Sequence, residues 1–450
     1  MPAAFTPADG TAPVPARLDW WKQFDDPLLD ALVTDALAYN RELAAATANL
    51  RAAHALHAEG GAQRAPGGGV TGSRLRLRQS ALSQPPMEGA PLLFDTQRIV
   101  DAGLALAWEI DVFGALAANE TAARADAEAT WWLRRHAEAA VVAETVRAYV
   151  DLQASSGRQA RQRERIETLV AIADRLQRAQ AIGGLARDEV EQAVAALEGQ
   201  RAGLPLLEVE ARNAARRLAV LTGRTPQHGL QLMADWKRAA VIAPPTLNVG
   251  DPAGLLRQRP DVGAAERRLQ AAVARTGVAT AALYPRIVLL GEAGVAAPPG
   301  GLDDKGAIRF AAGPRLEWGI FDLARTRARI AASEAGAEAA LAEWEHATLR
   351  ALEEADAAID GWTAERTALA SAASAAAASE RAAAAAHTRL ARGLASPLDV
   401  SRAEVERLLA EADAFERGVS TTHAWVNAHL ALGAGWRDSG LDVAERGAED

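Results

Sequence analysis

Two proline-free stretches, one from Pro91 to Pro205 and one from Pro314 to Pro397, constrain this chain more than any other feature. An interior proline removes a helix hydrogen bond and clashes with the preceding turn, so long runs without one leave helix available. In the first stretch, Ala115 to Ala181 is broken only by Gly157. In the second, Leu323 to Arg392 contains only Gly336 and Gly361. Both read as helix, with apolar residues on a moving stripe and Arg, Glu and Gln elsewhere. About 67 residues at roughly 1.5 Å each make a rod of roughly 100 Å. Ordinary globular helices are far shorter, so the pattern predicts a coiled coil or another extended helical assembly.

Each rod ends at a glycine-containing turn and returns as a second helix. The first turn is Ile182-Gly183-Gly184-Leu185-Ala186-Arg187-Asp188-Glu189-Val190, and the second is Arg392-Gly393-Leu394-Ala395-Ser396-Pro397-Leu398-Asp399-Val400. Gly183 and Glu189 match Gly393 and Asp399 at an offset of 210. The same offset relates Trp108 to Trp318, Glu144 to Glu354 and Gly223 to Gly433. Upstream, Leu43 and Leu50 match Val262 and Leu269 at an offset of 219, so the first half carries about nine extra residues. The chain is an internal duplication.

Between the upstream helix and the rod of each half, the texture changes. Val70 to Leu82 and Ile99 to Asp111 alternate, as do Arg286 to Ala297 and Ile308 to Phe321. Alternation with turn residues between predicts a β-hairpin in each half. Leu104, Leu106, Trp108 and Ile110 share one face, as do Leu316, Trp318 and Ile320. The Arg74/Arg76/Arg78 face is unusually charged for a strand. Toward an aqueous lumen such arginines are tolerated; toward lipid they cost about 2–4 kcal/mol each near the midplane. Four strands cannot close a barrel, and an open sheet edge cannot sit in lipid. Membrane-embedded hairpins therefore require several chains to pool strands, and three chains give twelve. The alternative is a small soluble sheet capping a helical bundle.

Composition removes several classes. With Lys+Arg 49 against Asp+Glu 58, the net charge of −9 lacks the basic surface of a sequence-independent nucleic-acid binder. Cys is absent, which excludes disulfides, thiol nucleophiles and zinc-thiolate sites. The residues are 49% hydrophobic but only 5% aromatic, and alanine supplies most of the difference. That balance favours long, closely packed helices over a thick core of large side chains. No run of apolar residues is long enough for a spanning helix, and Met1 to Arg17 is not a signal peptide. Taken alone this reads as a soluble protein, although a β-barrel leaves a much weaker hydropathy signal.

Strings along nearly the whole chain carry a family resemblance. They include Trp20-Trp21-Lys22-Gln23-Phe24-Asp25-Asp26-Pro27-Leu28, Asn40-Arg41-Glu42-Leu43, Trp108-Glu109-Ile110-Asp111-Val112-Phe113-Gly114 and Leu221-Thr222-Gly223. The second half adds Arg259-Pro260-Asp261-Val262, Tyr284-Pro285, Trp318-Gly319-Ile320-Phe321-Asp322 and Ala431-Leu432-Gly433-Ala434-Gly435-Trp436, together with the two turns. In order and in duplicate, they resemble the outer-membrane efflux proteins of the TolC superfamily, particularly the NodT/OprM-like outer-membrane factors of tripartite pumps. The resemblance implies a mainly α homotrimer, in which a twelve-stranded outer-membrane β-barrel continues as an α-helical barrel across the periplasm. It implies no cofactor, and a channel passing drugs, other small molecules or metal ions from an inner-membrane pump through a periplasmic adaptor to the exterior.

On that basis the chain divides into an N-terminal segment with first helices (1–66), a first barrel hairpin (67–112) and a first helical hairpin (113–222, tip 182–190). An equatorial linker (223–252) and a helix (253–284) follow. A second barrel hairpin (285–321), a second helical hairpin (322–436, tip 392–400) and a polar tail (437–450) complete it. The resemblance places adaptor docking at the tips, on Gly183, Gly184, Ala186, Arg187, Gly393, Leu394, Ala395 and Ser396. Small residues there permit close backbone approach, while plain helix termination explains each turn's glycine as well. The resemblance also places a periplasmic aperture just after the second turn, at Leu398, Asp399 and Arg402. Related channels often carry an acid where Arg402 stands, so an electropositive ring is expected unless Asp399 or Glu404 pairs with it. The family's lipobox cysteine would precede the Pro-rich start. Its absence leaves a mature or truncated form, a start assigned too late, or no anchor.

Enzyme classes find little in the sequence: there is no Gly-x-Ser-x-Gly elbow, phosphate loop or His-Glu-x-x-His. His54 and His57, three apart on a helix, read as a solvated pair rather than metal ligands. Two further alternatives remain beside the efflux channel: a soluble or periplasmic coiled-coil adaptor, which would carry one hairpin, and a type I secretion channel.

Overall fold

A computed structural model describes residues 11–12, 14, 16–78, 96–183, 186–234 and 246–436. The sequence segment 437–450 and Gly184 lie outside the described residues. In chain order the elements are β1 (Thr11–Ala12), α1 (Pro27–Tyr39), α2 (Arg41–Ala62), β2 (Gly67–Leu77), β3 (Gln97–Ile110), α3 (Ala115–Ala181) and α4 (Arg187–Leu221). They continue as α5 (Pro226–Ala234), β4 (Leu247–Asn248), α6 (Pro252–Gln258), α7 (Pro260–Ala281), β5 (Arg286–Ala297), β6 (Ile308–Glu317), α8 (Leu323–Ala391) and α9 (Pro397–Ala431). The long helices α3 and α8 have 67 and 69 residues. The chain divides into two compact units, 1–49 with 131–264 and 345–450, and 50–130 with 265–344.

The second of these units holds the sheet. Its strands run in the order β2-β3-β5-β6, all antiparallel, so each hairpin contributes a pair and β3 joins β5 across the duplication. The register sorts the side chains into two chemically different faces. One face carries Leu104, Leu106, Trp108 and Ile110 beside Ile287 and Leu289, with Phe310 and Leu316 on β6. These side chains are exposed or half-exposed, Phe310 at 85%. The opposite face carries charges that pair with one another. Arg309 forks onto Asp101 at 2.8 and 2.9 Å and reaches Glu292 at 3.4 Å, and Arg286 grips Glu109 at 3.2 and 2.5 Å.

Aromatic residues anchor one end of the sheet to the helices. The indole N–H of Trp108 donates to the Arg64 carbonyl at 2.9 Å, and that of Trp318 donates to the Leu283 carbonyl at 3.1 Å. The donors and acceptors keep the two offsets seen in the sequence. Phe113 and Tyr284 stack at 4.7 Å at the same helix-proximal end of the sheet.

The other unit contains a dense core, which corrects the expectation that an alanine-rich chain would lack one. Trp20, Trp362, Trp425, Tyr149, Leu29 and Leu152 are almost wholly buried. Composition misleads here because it averages over the chain, whereas most of the tryptophans converge on this unit. Trp20 packs edge-on to Trp425 at 5.4 Å, and Phe24 to Trp425 at 4.9 Å. Asp26 caps α1 by accepting from Leu28 N–H at 3.0 Å and also accepts from the Tyr149 hydroxyl at 2.5 Å. The string Trp20–Leu28 is therefore a packing motif that nails the first helix onto α3. His54 and His57 are both half-buried rather than solvated.

Candidate docking tips and aperture

Both hairpin turns are built around a glycine in the left-handed region, Gly183 at φ 76° and Gly393 at φ 71°. At the second turn, Leu394 N–H donates to the Arg389 carbonyl at 2.8 Å and Gly393 N–H to Leu390 at 2.9 Å. This is the double bond pattern of a Schellman C-cap, in which a β-carbon would clash with the backbone. A β-carbon at either glycine would otherwise meet open space, with nothing within 4 Å. The conformation, not crowding within the chain, demands glycine at both places.

The two return helices start differently. Ser396 caps α9: its hydroxyl accepts from Asp399 N–H at 3.2 Å, and Asp399 accepts from Ser396 N–H at 2.8 Å. Pro397 occupies the first helical position, where its missing N–H costs nothing. The Ser396 backbone N–H, then its hydroxyl, hold the Asp399 carboxyl below the usual aspartate range, with Arg389 and Arg402 contributing. In contrast, α4 begins at Ala186 with no side-chain cap, and Arg187 lies 3.5 Å from Glu191 one turn on. Ile182 and Leu394 project at 86% and 70% exposure, one at each turn.

The structure separates the three aperture candidates. Leu398 is half-buried and packs against a cluster of Leu169, Ile172, Leu176, Val190 and Leu197, together with Val405. It therefore joins α9 to both helices of the first hairpin. Asp399 is exposed and committed to the α9 cap. Arg402 is exposed, and among the described residues no carboxylate pairs with it. Glu404, the other acid considered as its partner, is engaged elsewhere. It meets His387 at 2.7 Å and Arg407 at 2.8 Å, and Arg407 also holds Glu411 at 2.6 Å. Burial works against the Glu404 charge, but hydrogen bonds from Arg407 and His387 keep its carboxyl below the ordinary glutamate range. Sequence reading missed this network; Glu404, Arg407 and Glu411, spaced three and four apart, were its available signal.

Farther along the hairpins, Arg158 forks onto Glu416 at 2.8 and 2.7 Å, and Arg161 lies 3.9 Å from the centre of the Phe415 ring. These contacts tie α3 to α9 beside a small cavity of about 150 Å³.

The family profile described as "Outer membrane efflux protein" matches residues 32–224 and 252–434, one match for each half of the duplication. The chain belongs to this family. It is 30% identical over 446 residues to outer membrane protein OprJ of Pseudomonas aeruginosa, covering 96% of this chain and 89% of that protein. It is 27% identical over 354 residues to nodulation protein T of Rhizobium leguminosarum, covering 76% and 71%. Among solved structures, the outer-membrane channel OprN superposes with a TM-score of 0.86 at 34% identity, covering 97% of each chain.

As an outer membrane efflux protein, the chain is a non-enzymatic exit channel of a tripartite pump, seated in the outer membrane and extending into the periplasm. Such a channel implies an adaptor and an inner-membrane pump as partners. Among the described residues no helix is long and apolar enough to cross a membrane.

Proposed function

We propose that three copies of this outer membrane efflux protein assemble into one conduit, in which the sheets close a twelve-stranded barrel and the helical hairpins close a tube. The observation that carries this reading is the sheet itself, with one largely apolar face, one face of paired charges, and two edges, β2 and β6, that have no strand neighbour among the described residues. An open edge is not stable in hydrocarbon, so β2 of one copy pairs with β6 of the next. The apolar face then meets lipid, and Asp101, Arg286, Glu292 and Arg309 line the water-filled interior.

In this reading the tips around Gly183 and Gly393, with Ala186, Arg187, Leu394, Ala395 and Ser396, dock the periplasmic adaptor. The open space beside both glycines supports close approach by a partner helix. Arg402, exposed and without an ion pair among the described residues, forms the charged ring of the aperture, while Leu398 holds the second hairpin against the first. The cargo is a small solute delivered by the pump.

Cysteine cross-linking tests the assembly. In this cysteine-free chain, one cysteine on β2 at Thr71 and one on β6 at Ala311 should give a covalent trimer ladder in outer membranes. Monomers only, across a scan of neighbouring β2 and β6 positions, would refute the shared barrel.

A further inference from the structure

The register places three arginines on the wrong face for a barrel lumen. Arg74 and Arg76 of β2 alternate with Leu75 and Leu77, and their cross-strand partners are Val100 and Arg98. Val100 in turn faces Ala297, in the same file of residues as Leu104, Leu106, Trp108 and Ile110. Arg74, Arg76 and Arg98 therefore share the apolar face, and Arg78 follows one residue beyond the strand. All four are exposed. Among the described residues none has a carboxylate partner, whereas the arginines of the opposite face are paired.

Their height on that face is set by strand geometry. From Ile110 to Val100 the strand advances about 33 Å, or about 25 Å along the barrel axis at the usual tilt, which is the thickness of the apolar band. Trp108, Trp318 and Tyr284 mark the helix-proximal border, so the arginines sit at the opposite, outer border. Arg98 and Arg76 stand directly across from each other, an arrangement that is destabilising for like charges unless an anion lies between them. The same two side chains line a groove at the sheet's end together with Ile99, Ala297, Pro298 and Pro299. The groove thus offers two guanidinium forks next to an apolar wall.

We infer that Arg74, Arg76 and Arg98 form a site for the phosphorylated headgroup of an outer-leaflet lipid, with the phosphate bridging Arg76 and Arg98 and the acyl chains running down the Leu104–Phe310 face. Guanidinium pairs match phosphate oxygens two by two, and the apolar wall suits the start of the chains rather than a free ion. The site rests on the trimeric-barrel reading, since the sheet must face lipid for the headgroup to reach it.

The full chain, purified in detergent as the assembled trimer, tests this by native mass spectrometry. The probes are bisphosphorylated lipid A, phosphatidylcholine and inorganic phosphate. The wild type should retain lipid A over phosphatidylcholine. Arg76→Gln and Arg98→Gln should each weaken retention about fivefold, and the triple Arg74→Gln/Arg76→Gln/Arg98→Gln variant should abolish it. Ion conductance, set by the interior, should stay unchanged. Should the glutamine triple fail to assemble, the triple lysine variant carries the test: it keeps the charge but loses the planar forks, and should weaken lipid A retention severalfold. Equal retention of lipid A and phosphatidylcholine by wild type, or unchanged retention by an assembled variant, overturns the site. Displacement of lipid A by excess inorganic phosphate would make it a free-phosphate site and overturn the lipid assignment. A wild type that purifies only as a soluble monomer would instead sink the barrel reading before any lipid is added.

Discussion

Asn40 and Arg259 hold equivalent latches in the two halves of the chain. The Asn40 side-chain amide donates to the Leu221 carbonyl at 3.0 Å, and the Arg259 guanidinium donates to the Ala431 carbonyl at 2.9 Å. Each latch closes the C-terminal end of a return helix onto the start of the helix that leads to a strand. The glycines that follow, Gly223 and Gly433, have φ near 72° and 75°, and a β-carbon there would press on Tyr39 and on Gln258 and Arg259 respectively. Repeat conservation of geometry thus survives a change from amide to guanidinium.

The second latch carries charge as well. Arg259 is nearly buried and forks onto Asp261 at 2.8 and 2.6 Å while meeting Glu354 at 2.7 Å. Arg259→Met should lower stability by about 1–3 kcal/mol, because it leaves the half-buried Asp261 carboxylate and the Ala431 carbonyl without their donor. Arg259→Lys should recover only part, since an ammonium cannot make three directed contacts at once. Thermal dissociation of the purified protein reads both; equal behaviour of all three proteins would remove the latch from the stability account.

A second expectation concerns pH. His429 is buried against Trp20 and Trp425, and its Nδ1–H donates to the Trp425 carbonyl at 3.0 Å, leaving Nε2 bare. Burial pushes its pKa from 6.5 down to about 4. The folded state therefore resists protonation that the unfolded state accepts. Its contribution is complete above pH 6.5, falls as pH drops through the window to about 4, and is gone below it. The loss amounts to about 3 kcal/mol. His429→Phe should flatten this slope in a pH series of melting temperatures, and an unaltered slope would assign it to other groups.

The second tip should loosen when its cap is removed. Ser396→Ala deletes the hydroxyl that accepts from Asp399 N–H, at about 1 kcal/mol. Gly393→Ala forces a β-carbon into the left-handed region, at about 1–2 kcal/mol. Amide exchange at Val400 and Ser401 should quicken in both variants, while the core around Trp425 should not change. Uniform acceleration would instead mean that the tip and the core open as one unit.

The aperture assignment is tested at Arg402. Arg402→Asp reverses an exposed charge that forms no ion pair among the described residues and acts on Asp399 only at longer range, so folding should change little. In reconstituted bilayers, conductance should change and ion preference should move toward cations. Unchanged conductance and selectivity would place Arg402 outside the gate.

Much of the architecture was legible because it depends on local rules. Proline-free runs set α3 and α8, and glycine in the left-handed region set both tips. Alternation set the four strands, and the repeat offsets tied Trp108 to Trp318. Alternation also showed that Arg74 and Arg76 share a face, but not which face. That depended on register with β3, where Arg76 falls opposite Arg98 and in line with the apolar file. Leu398 and Arg402 were legible as one stretch of helix, one turn apart, yet their environments were not. The cluster around Leu176 buries one, and the engagement of Glu404 by His387 and Arg407 leaves the other unpaired.

The sequence by itself determined the duplication, the helix and strand order, and the family, because backbone preference and hydrophobic period act over a few neighbouring residues. Only the tertiary structure decided where the tryptophans gather, which charges neutralise one another and which stay free. Those outcomes depend on residues more than a hundred positions apart, such as Arg158 and Glu416 or Asp101 and Arg309, meeting at distances under 3 Å. At that range pairing outweighs any local preference, and a side chain that misses a carboxylate partner among the described residues, as Arg402 does, stays exposed.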